Sequence, residues 1–556
     1  MKMALIHRVN INFGFVLNTF YCKCIVNIKR CKTEYNIKSQ TNVKYGENIT
    51  FGDMLKFRQT QAKKSVLIGV PENYIYDMEK YCLKHVNIKK ILFYNTETNR
   101  CFVLMELMTE KDVEIFRNMA SCKINSNAHS VTPLFLYKVR NSSYNKPMTK
   151  KSIMFKPPNF DQIKESLKNK NTISEQMIIL HHLLKITDLD IRLRFFTAEQ
   201  ISYYLSRLFM NVSVIPFGSS VNGFGQIGCD LDLLCKTDIS NIINSSTRKF
   251  FYMSQPLHLA DRNEQKEFLD AISTIMKICI PGIDNIKKIL EARVPIIKFF
   301  NQTTNMHCDL SSTNVIALHM SELLYTYGEL DWRVKPLICT IRKWARNTNI
   351  TKDISGQWIT NFSLTLLILF YLQIKNILPS LKVIKYHIKN SRRSWSNDWK
   401  NSINYNNDSL HNLLYGFFEY YSIFDFKMQA ICIKEGKPRV KKDSSPLYIY
   451  NPFDESLNVS KNITIFELTR LIDHFRKALQ ILIETSEKDA IIKLIKINSI
   501  SSNSIEMDDC KDIEKSTEID NIEKDSDTFN QKESLNESIN KINVNVLETM
   551  EKNIIK

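Results

Sequence analysis

Short apolar runs alternate with segments of helical period along most of this 556-residue chain. The apolar run Val212–Phe217 predicts a strand, and Cys229–Leu234, where polar and apolar side chains alternate, predicts a second. Val294–Phe300 predicts a third strand, which the polar turn Asn301–Asn305 folds back onto the next segment as a hairpin. Helical segments precede and follow these strands, so the pattern predicts an α+β fold built on a mixed sheet.

A smaller α/β module is predicted before this sheet, at residues 55–145. Ser65–Gly69 and Phe102–Leu107 predict strands, and Tyr74–His85 and Glu110–Met119 predict helices. The alternation is RRM-like, as in the RNA-recognition modules that lay bases on a β-sheet. The aromatic-rich strand motif that stacks those bases is missing here, which argues against direct contact with RNA bases through this module.

Helical periodicity dominates the rest of the chain, and helices are predicted over residues 160–209, 318–372 and 410–484. Within the second of these, Phe362–Leu372 is apolar but too short to cross a membrane. It therefore predicts a buried core helix, and no membrane is expected as a partner. Residues 390–409 are rich in Asn and Ser and predict a surface insert.

The two ends of the chain differ from its body in charge. The first 33 residues hold no Asp or Glu but six Lys or Arg, as a mitochondrial transit peptide does, although they are poor in Ser and only modestly rich in Arg. A transit peptide over residues 1–40 would imply a location in the mitochondrial matrix. Dense charge and low apolar content predict a disordered acidic tail over residues 487–556. Between them, residues 160–330 are assigned to the catalytic sheet with its helices, and residues 331–486 to a helical domain.

The body of the chain is strongly basic. The whole sequence has 76 Lys and Arg against 58 Asp and Glu, a net charge of +18. Residues 501–556 carry 14 acidic and 7 basic side chains, so the remaining residues carry a net +25. A basic body predicts a polyanionic partner such as nucleic acid, with compositional drift in a Lys-, Asn- and Ile-rich chain as the alternative. The 13 cysteines lack the paired spacing of a zinc site.

A phosphate site is predicted where the first strand ends. Gly218, Ser219 and Ser220 form a turn after Phe217 and would open a short helix, whose free N–H groups hold phosphate well. Asp230 and Asp232 lie two residues apart in a strand and so point to the same face. Two adjacent carboxylates repel each other unless a cation lies between them, and hard oxygen ligands suit Mg²⁺ or Mn²⁺. Each feature alone is usually a plain turn or a solvated strand edge, but together they favour nucleotidyl transfer.

A third carboxylate is predicted on the hairpin, at Asp309. Two-metal sites need more ligands than two carboxylates supply, and the nucleophile needs a proton acceptor. The second strand of the hairpin would carry Asp309 into the same sheet as Asp230 and Asp232. The alternative is that Asp309 caps the next helix.

These motifs resemble the DNA polymerase beta-type nucleotidyltransferase superfamily and, within it, the noncanonical poly(A) polymerases and terminal uridylyltransferases, above all their mitochondrial branch. The resemblance covers residues 55–485 and is carried by Gly218–Ser220, Asp230–Asp232, Cys308–Asn314, Ser321–Gly328 and Trp358–Leu364. It implies a nucleotidyltransferase palm followed by a helical poly(A)-polymerase-associated domain. It also implies template-independent addition of adenylate from ATP to a single-stranded RNA 3′ end.

The resemblance further implies roles for individual residues. Asp230, Asp232 and Asp309 would be catalytic and would hold two Mg²⁺ or Mn²⁺ ions, and the RRM-like module would form a homodimer. The nucleotide-binding positions would be Gly218, Ser219, Ser220, Asn314, Arg342, Arg346, Thr360, Asn361, Phe362 and Asn458.

Two of these nucleotide-binding assignments leave alternatives open. Arg342 and Arg346 lie one helical turn apart, so an anion between them is expected, with a solvated basic face as the alternative. Phe362 would stack on the base, with a core Phe as the alternative.

The predicted preference for adenine rests on one position at which this sequence departs from its uridine-preferring relatives. Uridine-preferring relatives tend to carry a His before the Asn that matches Asn458, and this chain has Leu457 there. Leu offers no hydrogen bond to uracil, which favours ATP over UTP. The alternatives are a terminal uridylyltransferase and a catalytically inactive RNA-binding scaffold on the same fold, although all three acids are present.

Overall fold

The computed structural model describes residues 50–98, 100–119, 134–136, 157–209, 212–237, 262–352, 354, 356–390 and 406–496. The predicted presequence, most of the predicted surface insert and residues 497–556 lie outside this range. Within it the protein is an α+β molecule with a mixed sheet and many helices, as predicted.

The N-terminal module is a four-stranded sheet with two helices on one side, preceded by a helix that packs against the palm. Its elements are α1 (Phe51–Lys63), β1 (Ser65–Gly69), α2 (Ile75–Cys82), β2 (Ile88–Asn95), β3 (Cys101–Leu107), α3 (Glu110–Met119) and β4 (Leu134–Leu136). The strand order is β2-β3-β1-β4, with β1 antiparallel to β3. β4 runs parallel to β1, whereas neighbouring strands of a regular βαββαβ sheet run antiparallel. The module is therefore RRM-like in strand order but departs from it at the last strand.

Both faces of this small sheet are covered. On one face Val66 and Val103 pack with Met78 of α2 and Phe116 of α3. The opposite face is the one on which RRM modules lay bases. Here the side chains of that face join the core of the palm, namely Leu67, Tyr94, Phe102 and Leu104. The buried face accounts for the missing base-stacking motif, because its aromatic side chains pack against protein.

Ion pairs surround this junction between the module and the palm. Arg192 lies 2.6 Å from Glu106 of β3 and 2.8 Å from Asp188, and Lys89 lies 2.9 Å from Glu106. Burial alone would raise the pKa of Glu106, but its hydrogen bonds from Lys89 and Arg192 hold that pKa below its usual value. The carboxylate therefore stays ionised in a place where water is largely excluded.

The palm is a five-stranded sheet packed on two helices. Its elements are α6 (Asp188–Leu205), β5 (Val212–Phe217), β6 (Leu231–Thr237), α7 (Arg262–Cys279), β7 (Ile283–Ile289), β8 (Ile296–Asn301) and β9 (Met306–Ser311). The order is β5-β6-β9-β8-β7; β6 and β9 are parallel and the other pairs antiparallel. The predicted hairpin is confirmed, and Asn305 in its turn has a positive φ of 55°.

Helices form the remaining lobe. They are α4 (Phe160–Lys168) and α5 (Ile173–Leu184), which precede the palm in the chain, and α8 (Val315–Leu330), α9 (Val334–Asn347), α10 (Asn361–Ile374), α11 (Leu381–Asn390), α12 (Leu410–Ile423), α13 (Ile465–Glu484) and α14 (Glu487–Leu494). As predicted, helices resume at residue 410 and end at Glu484, with α12 and α13 at the two ends of the range. The loops between them carry the short strands β10 (Gln429–Ala430) and β11 (Arg439–Val440). α10 is buried over almost its whole length, as predicted. Among the described helices, none combines the length and apolarity that a bilayer span requires.

The segment 160–184, assigned to the palm, also joins the apolar core of the helical lobe, where Ile163 and Leu180 pack with side chains of α9 to α14. One predicted boundary differs from the structure. The tail was predicted to be disordered from residue 487, but α14 buries Ile491 and Leu494 in the same core. Frequent charges along α14 hide a narrow apolar face, which explains the wrong prediction.

Candidate active site

One row of side chains crosses the open face of the palm sheet. The strand register places Phe217 beside Asp232, Asp232 beside Asp309, Asp309 beside Lys298, and Lys298 beside Lys287. Residues that lie opposite each other on neighbouring strands share a face of the sheet. Asp230 lies just before β6, two residues from Asp232. The fold therefore brings the three predicted acids together at the centre of the sheet.

The three carboxylates repel one another. Burial raises the pKa of Asp232 to about 7, and the charges of Asp309 and Asp230 contribute to the rise, although Arg194 and Lys298 oppose it. The pKa of Asp230 is raised by burial and by Asp309. Asp309 accepts a hydrogen bond from the Lys298 ammonium at 2.6 Å, so a cation already pairs with one of the acids.

The phosphate turn lies directly against these acids. Gly218 has a φ of +65°, and a Cβ atom at this position would overlap the Asp232 carboxylate oxygen. Glycine is therefore required both for the backbone conformation and for the close approach. The Gly218 N–H donates to the Ser321 hydroxyl at 2.8 Å, which ties the turn to α8. The turn itself is a single 3₁₀ turn, Gly218–Ser220, where a short helix was predicted.

A cavity of about 390 Å³ opens between the palm and the helical lobe. Seven of the predicted site residues line it: Gly218, Ser219, Asp232, Asn314, Arg342, Asn361 and Phe362. Phe362 also packs against the core of the helical lobe, so packing on the core does not exclude the predicted stacking role. Burial, with the nearby charge of Arg346 adding, lowers the pKa of Arg342. Arg342 donates to the Phe224 carbonyl at 2.9 Å, which fixes it in the cavity wall.

Three predicted nucleotide-binding residues serve the scaffold instead of lining the cavity. Ser220 is buried and accepts a hydrogen bond from Arg194 at 2.8 Å. The Thr360 hydroxyl accepts from the Ser363 N–H at 3.1 Å and caps α10. Asn458 accepts from the Ile449 N–H at 3.1 Å and donates to a carbonyl at 2.9 Å, which braces its loop.

The remaining members of the predicted set lie at the border of the cavity. Arg346 is exposed in the last turn of α9. Asp230 and Asp309 lie beside Asp232 without lining the cavity.

Sequence analysis missed two residues of the site. Arg194 is buried in α6 and donates to the Asp230 carbonyl at 2.9 Å and the Cys229 carbonyl at 2.6 Å, besides Ser220. An arginine among the apolar residues of α6 was the sequence feature that could have indicated it. Asn451 lines the cavity from the helical lobe, and its side-chain oxygen accepts from the N–H groups of the next loop. An Asn directly before a Pro is ordinary turn chemistry, so nothing local marked Asn451.

The acids suit a divalent cation in chemistry, although their side chains do not converge fully. Among the described residues, no three Asp, Glu, His or Cys side chains form a ready-made metal cage. Asp309 is turned to Lys298 while Asp230 and Asp232 repel each other. Carboxylate oxygens are the ligands that Mg²⁺ and Mn²⁺ prefer, and a bound cation would relieve the repulsion that raises the pKa of Asp230 and Asp232.

Comparisons with known proteins match both the palm and part of the helical lobe to poly(A) polymerases. Residues 173–329 match the family model described as "Poly(A) RNA polymerase, mitochondrial-like, central palm domain", and residues 409–457 match "Cid1 family poly A polymerase". The mitochondrial poly(A) RNA polymerase of Mus musculus is 33% identical over 450 residues, which are 77% of this chain and 76% of the relative. The Homo sapiens protein of that name is 33% identical over 445 residues, 76% of each chain.

Solved structures agree as well. The crystal structure of mtPAP in its apo form superimposes with a TM-score of 0.73 at 30% identity and covers 80% of this chain and 99% of that chain. The complex of mtPAP with ATPγS gives a TM-score of 0.71 at 30% identity, with the same coverage. The sequence identity to these relatives and the matching palm show that this chain belongs to the mitochondrial poly(A) RNA polymerase family, and its row of acids agrees with this. The chain is an enzyme that adds poly(A).

Proposed function

We propose that this enzyme transfers adenylate from ATP to the 3′ end of single-stranded RNA without a template, in mitochondria. The observation that carries the proposal is the position of Asp232, which lines the same cavity as the Gly218-Ser219 turn and lies beside Asp309 on the next strand. A nucleotide whose phosphates lie at this turn would present its α-phosphate to the acids.

Three carboxylates would hold two Mg²⁺ or Mn²⁺ ions, namely those of Asp230, Asp232 and Asp309. Such ions, when bound, supply positive charge to the phosphates and to the attacking oxygen. Asp309 accepts the proton of the RNA 3′-hydroxyl, whose oxygen forms a bond to the α-phosphorus in line. The bond between that phosphorus and the pyrophosphate oxygen breaks, and pyrophosphate leaves.

The walls of the cavity would hold the rest of the nucleotide. Ser219 and the N–H groups of its turn bind the outer phosphates, and Arg342 supplies positive charge from the opposite wall. Asn314 is placed to contact the ribose, and its side chain also caps α8 by accepting from the Ala317 N–H at 3.3 Å. Phe362 offers a face on which the base stacks.

Preference for adenine over uracil follows from Leu457, which supplies no polar group to a uracil edge. The crystal structures of mtPAP include complexes with GTP, CTP and UTP as well as ATPγS. Entry of a base into the cavity is therefore a poor measure of preference, and the rate of transfer is the quantity to compare.

Primer extension tests the proposal. The purified enzyme is incubated with a labelled single-stranded RNA, Mg²⁺ or Mn²⁺, and each NTP separately. We expect a ladder with ATP and little extension with UTP, and we expect the Asp232→Asn variant to bind RNA but extend nothing. A ladder with UTP alone would make the enzyme a uridylyltransferase. RNA binding without extension by the wild type would favour an inactive scaffold.

We further propose that the N-terminal module forms a homodimer and that the enzyme acts in the mitochondrial matrix. Large apolar side chains of the module are exposed, including Phe57, Tyr76 and Met108 at 53%, 62% and 52%. Light scattering on the purified protein should give twice the chain mass, and a Tyr76→Glu variant should reduce it. Protease protection in fractionated mitochondria tests the location.

A further inference from the structure

The open face of the palm sheet continues past the acids onto its last two strands, β8 and β7. Lys298 lies opposite Asp309, and Lys287 lies opposite Lys298, so the row turns from acidic to basic. In the next row Phe300 lies opposite His307 on one side and Asp284 on the other, and the rings of Phe300 and His307 are 4.9 Å apart at an angle of 45°. We call these four residues, Lys287, Lys298, Phe300 and His307, the palm track.

The palm track faces away from the core of the palm. Along β8, Ile297 and Phe299 are buried against α6 and α7, while Lys298 and Phe300 alternate with them and point to the other face. Lys298 keeps 43% of its side chain exposed, and His307 is exposed. Within the described part of the chain, Phe300 belongs to none of the apolar cores. Lys287, Phe300 and His307 are therefore available to a ligand, whereas Lys298 also pairs with Asp309.

Folding accounts for only one of the two lysines. Lys298 pairs with Asp309, but among the described residues no carboxylate pairs with Lys287. Lys287 lies directly opposite Lys298, and like charges opposite each other on neighbouring strands cost stability. Lys288, the neighbour of Lys287, points to the other face and pairs with Asp270 of α7 at 2.5 Å. Strand β7 therefore pairs Lys288 with a carboxylate on one face, but on the other face it places Lys287 opposite Lys298. A polyanion on the open face would offset that repulsion.

We propose that the palm track binds the nucleotides that precede the 3′ end of single-stranded RNA. Lys287 and Lys298 contact backbone phosphates, and the Phe300–His307 pair stacks a base; the proposal rests on the RNA substrate of the proposed function. Basic side chains interleaved with aromatic rings are the combination with which proteins hold single strands. Lys287 lies two strand spacings from Asp309, roughly 10 Å, so an RNA whose last hydroxyl is at Asp309 passes over it.

Two variants test the track without touching the acids, Phe300→Ala and Lys287→Ala. Affinity is measured by fluorescence anisotropy with a labelled single-stranded RNA of about 15 nucleotides. Loss of one stacked base should raise the Kd of Phe300→Ala roughly 5- to 100-fold. Loss of one phosphate contact should make the slope of log K against log salt shallower by about 0.7 for Lys287→Ala. In extension assays KM for RNA should rise while KM for ATP stays unchanged.

Matched controls separate RNA contact from general damage. Lys288→Ala removes the adjacent lysine from the opposite face, and Phe466→Ala removes an exposed ring from α13 of the helical lobe. Both variants should keep the wild-type affinity for RNA. Phe300→Tyr retains a ring and should restore most of the affinity. If Phe300→Ala and Lys287→Ala bind RNA like the wild type, or if Phe300→Tyr is as weak as Phe300→Ala, the palm track does not hold RNA.

The outcome is distinguishable from failure of the proposed function. A wild-type enzyme that binds RNA but extends nothing contradicts the proposed function, and the affinities of the variants still decide the palm track. A wild-type enzyme that extends RNA, with variants that match it in KM for RNA, contradicts the palm track alone.

Discussion

Arg194 is a charged side chain that the fold buries beneath the phosphate turn. Its guanidinium bridges the Ser220 hydroxyl on one side and the carbonyls of Cys229 and Asp230 on the other. The planar fork of an arginine can reach several acceptors at once, which an ammonium cannot. Arg194 therefore positions the turn relative to the strand of acids, and its charge also opposes the repulsion among those acids.

We expect Arg194→Met to lower the free energy of unfolding by about 3–5 kcal/mol, because three acceptors lose a charged donor in a buried place. Arg194→Lys should retain much of the stability but lower the extension rate by roughly 10-fold or more, because one ammonium cannot fix both segments. Thermal unfolding and single-turnover extension measure the two effects.

Arg207→Met is the control for Arg194, because Arg207 is exposed two residues after the same helix ends. It should leave both quantities unchanged. An Arg194→Lys variant as fast as the wild type would contradict the positioning role of Arg194.

Glu199 of α6 supplies a second prediction at the residue scale. Burial raises its pKa to about 7, with Glu110 adding to the shift and Lys63 and Arg117 opposing it. The folded protein thus holds a proton that the unfolded chain releases near pH 4.5. The contribution of Glu199 to the free energy of unfolding is therefore fully present below pH 4.5 and is lost as the pH rises through about 7.

At pH 8, Glu199→Gln should therefore have a free energy of unfolding about 1–3 kcal/mol higher than the wild type and should unfold at a higher temperature. At pH 4.5 the two proteins should unfold at nearly the same temperature. Thermal unfolding across this range measures the difference. Glu114→Gln, on the exposed side of α3, is the matched control and should follow the wild type. A wild-type curve parallel to that of Glu199→Gln would show that Glu199 ionises normally.

At the scale of elements, α14 extends the helical lobe beyond its predicted end. Ile491, Leu494 and Ile495 are buried against α4 and α5. Two polar side chains add to this packing: Gln176 donates to the Lys488 carbonyl at 2.6 Å, and Asn347 donates to the Ile495 carbonyl at 2.5 Å. α14 therefore closes the core of the lobe.

A chain that ends after Thr485 should lose on the order of 5 kcal/mol of stability compared with one that ends after Lys496, because several buried aliphatic side chains are removed. Denaturant unfolding of the two shortened chains measures the difference directly. Equal midpoints would mean that α14 packs without stabilising the lobe.

The parts of the palm that could be predicted from the sequence are those whose functional residues lie close together in the chain. Gly218-Ser219, the Asp pair and the hairpin of Asp309 each occupy a few consecutive residues, so spacing alone indicates them. Arg194, Asn451 and the bracing role of Asn458 depend on partners that the fold brings from elsewhere, or on loop geometry that composition does not encode. The apolar face of α14 was missed for a related reason, since its partner helices lie more than 300 residues earlier in the chain.

At the scale of the whole molecule, the N-terminal module and the palm share one apolar core and a network of ion pairs. Arg192 of the palm is 9% exposed and Glu106 of the module 3% exposed, and they are 2.6 Å apart. Removing Arg192 would leave the buried Glu106 carboxylate with only the half-exposed Lys89 as an ion-pair partner, and losing a partner in a place with little water costs far more than the pair contributes.

Arg192→Ala should therefore lower the free energy of unfolding by about 3–5 kcal/mol. Arg58→Ala, which removes a more exposed contact to Asp188, should cost less than about 1 kcal/mol. Calorimetry provides the comparison, and similar losses for the two variants would contradict the importance of the buried pair.

Tyr94 connects this junction to the hairpin that bears Asp309. Its hydroxyl donates to the Thr303 carbonyl at 2.6 Å, in the turn of the hairpin whose second strand bears Asp309. The module is thus fastened to the same hairpin that carries Asp309, the proposed proton acceptor. A substitution in the module that disturbs this junction should therefore impair tailing with all three acids intact, so its effect would resemble that of a change within the active site.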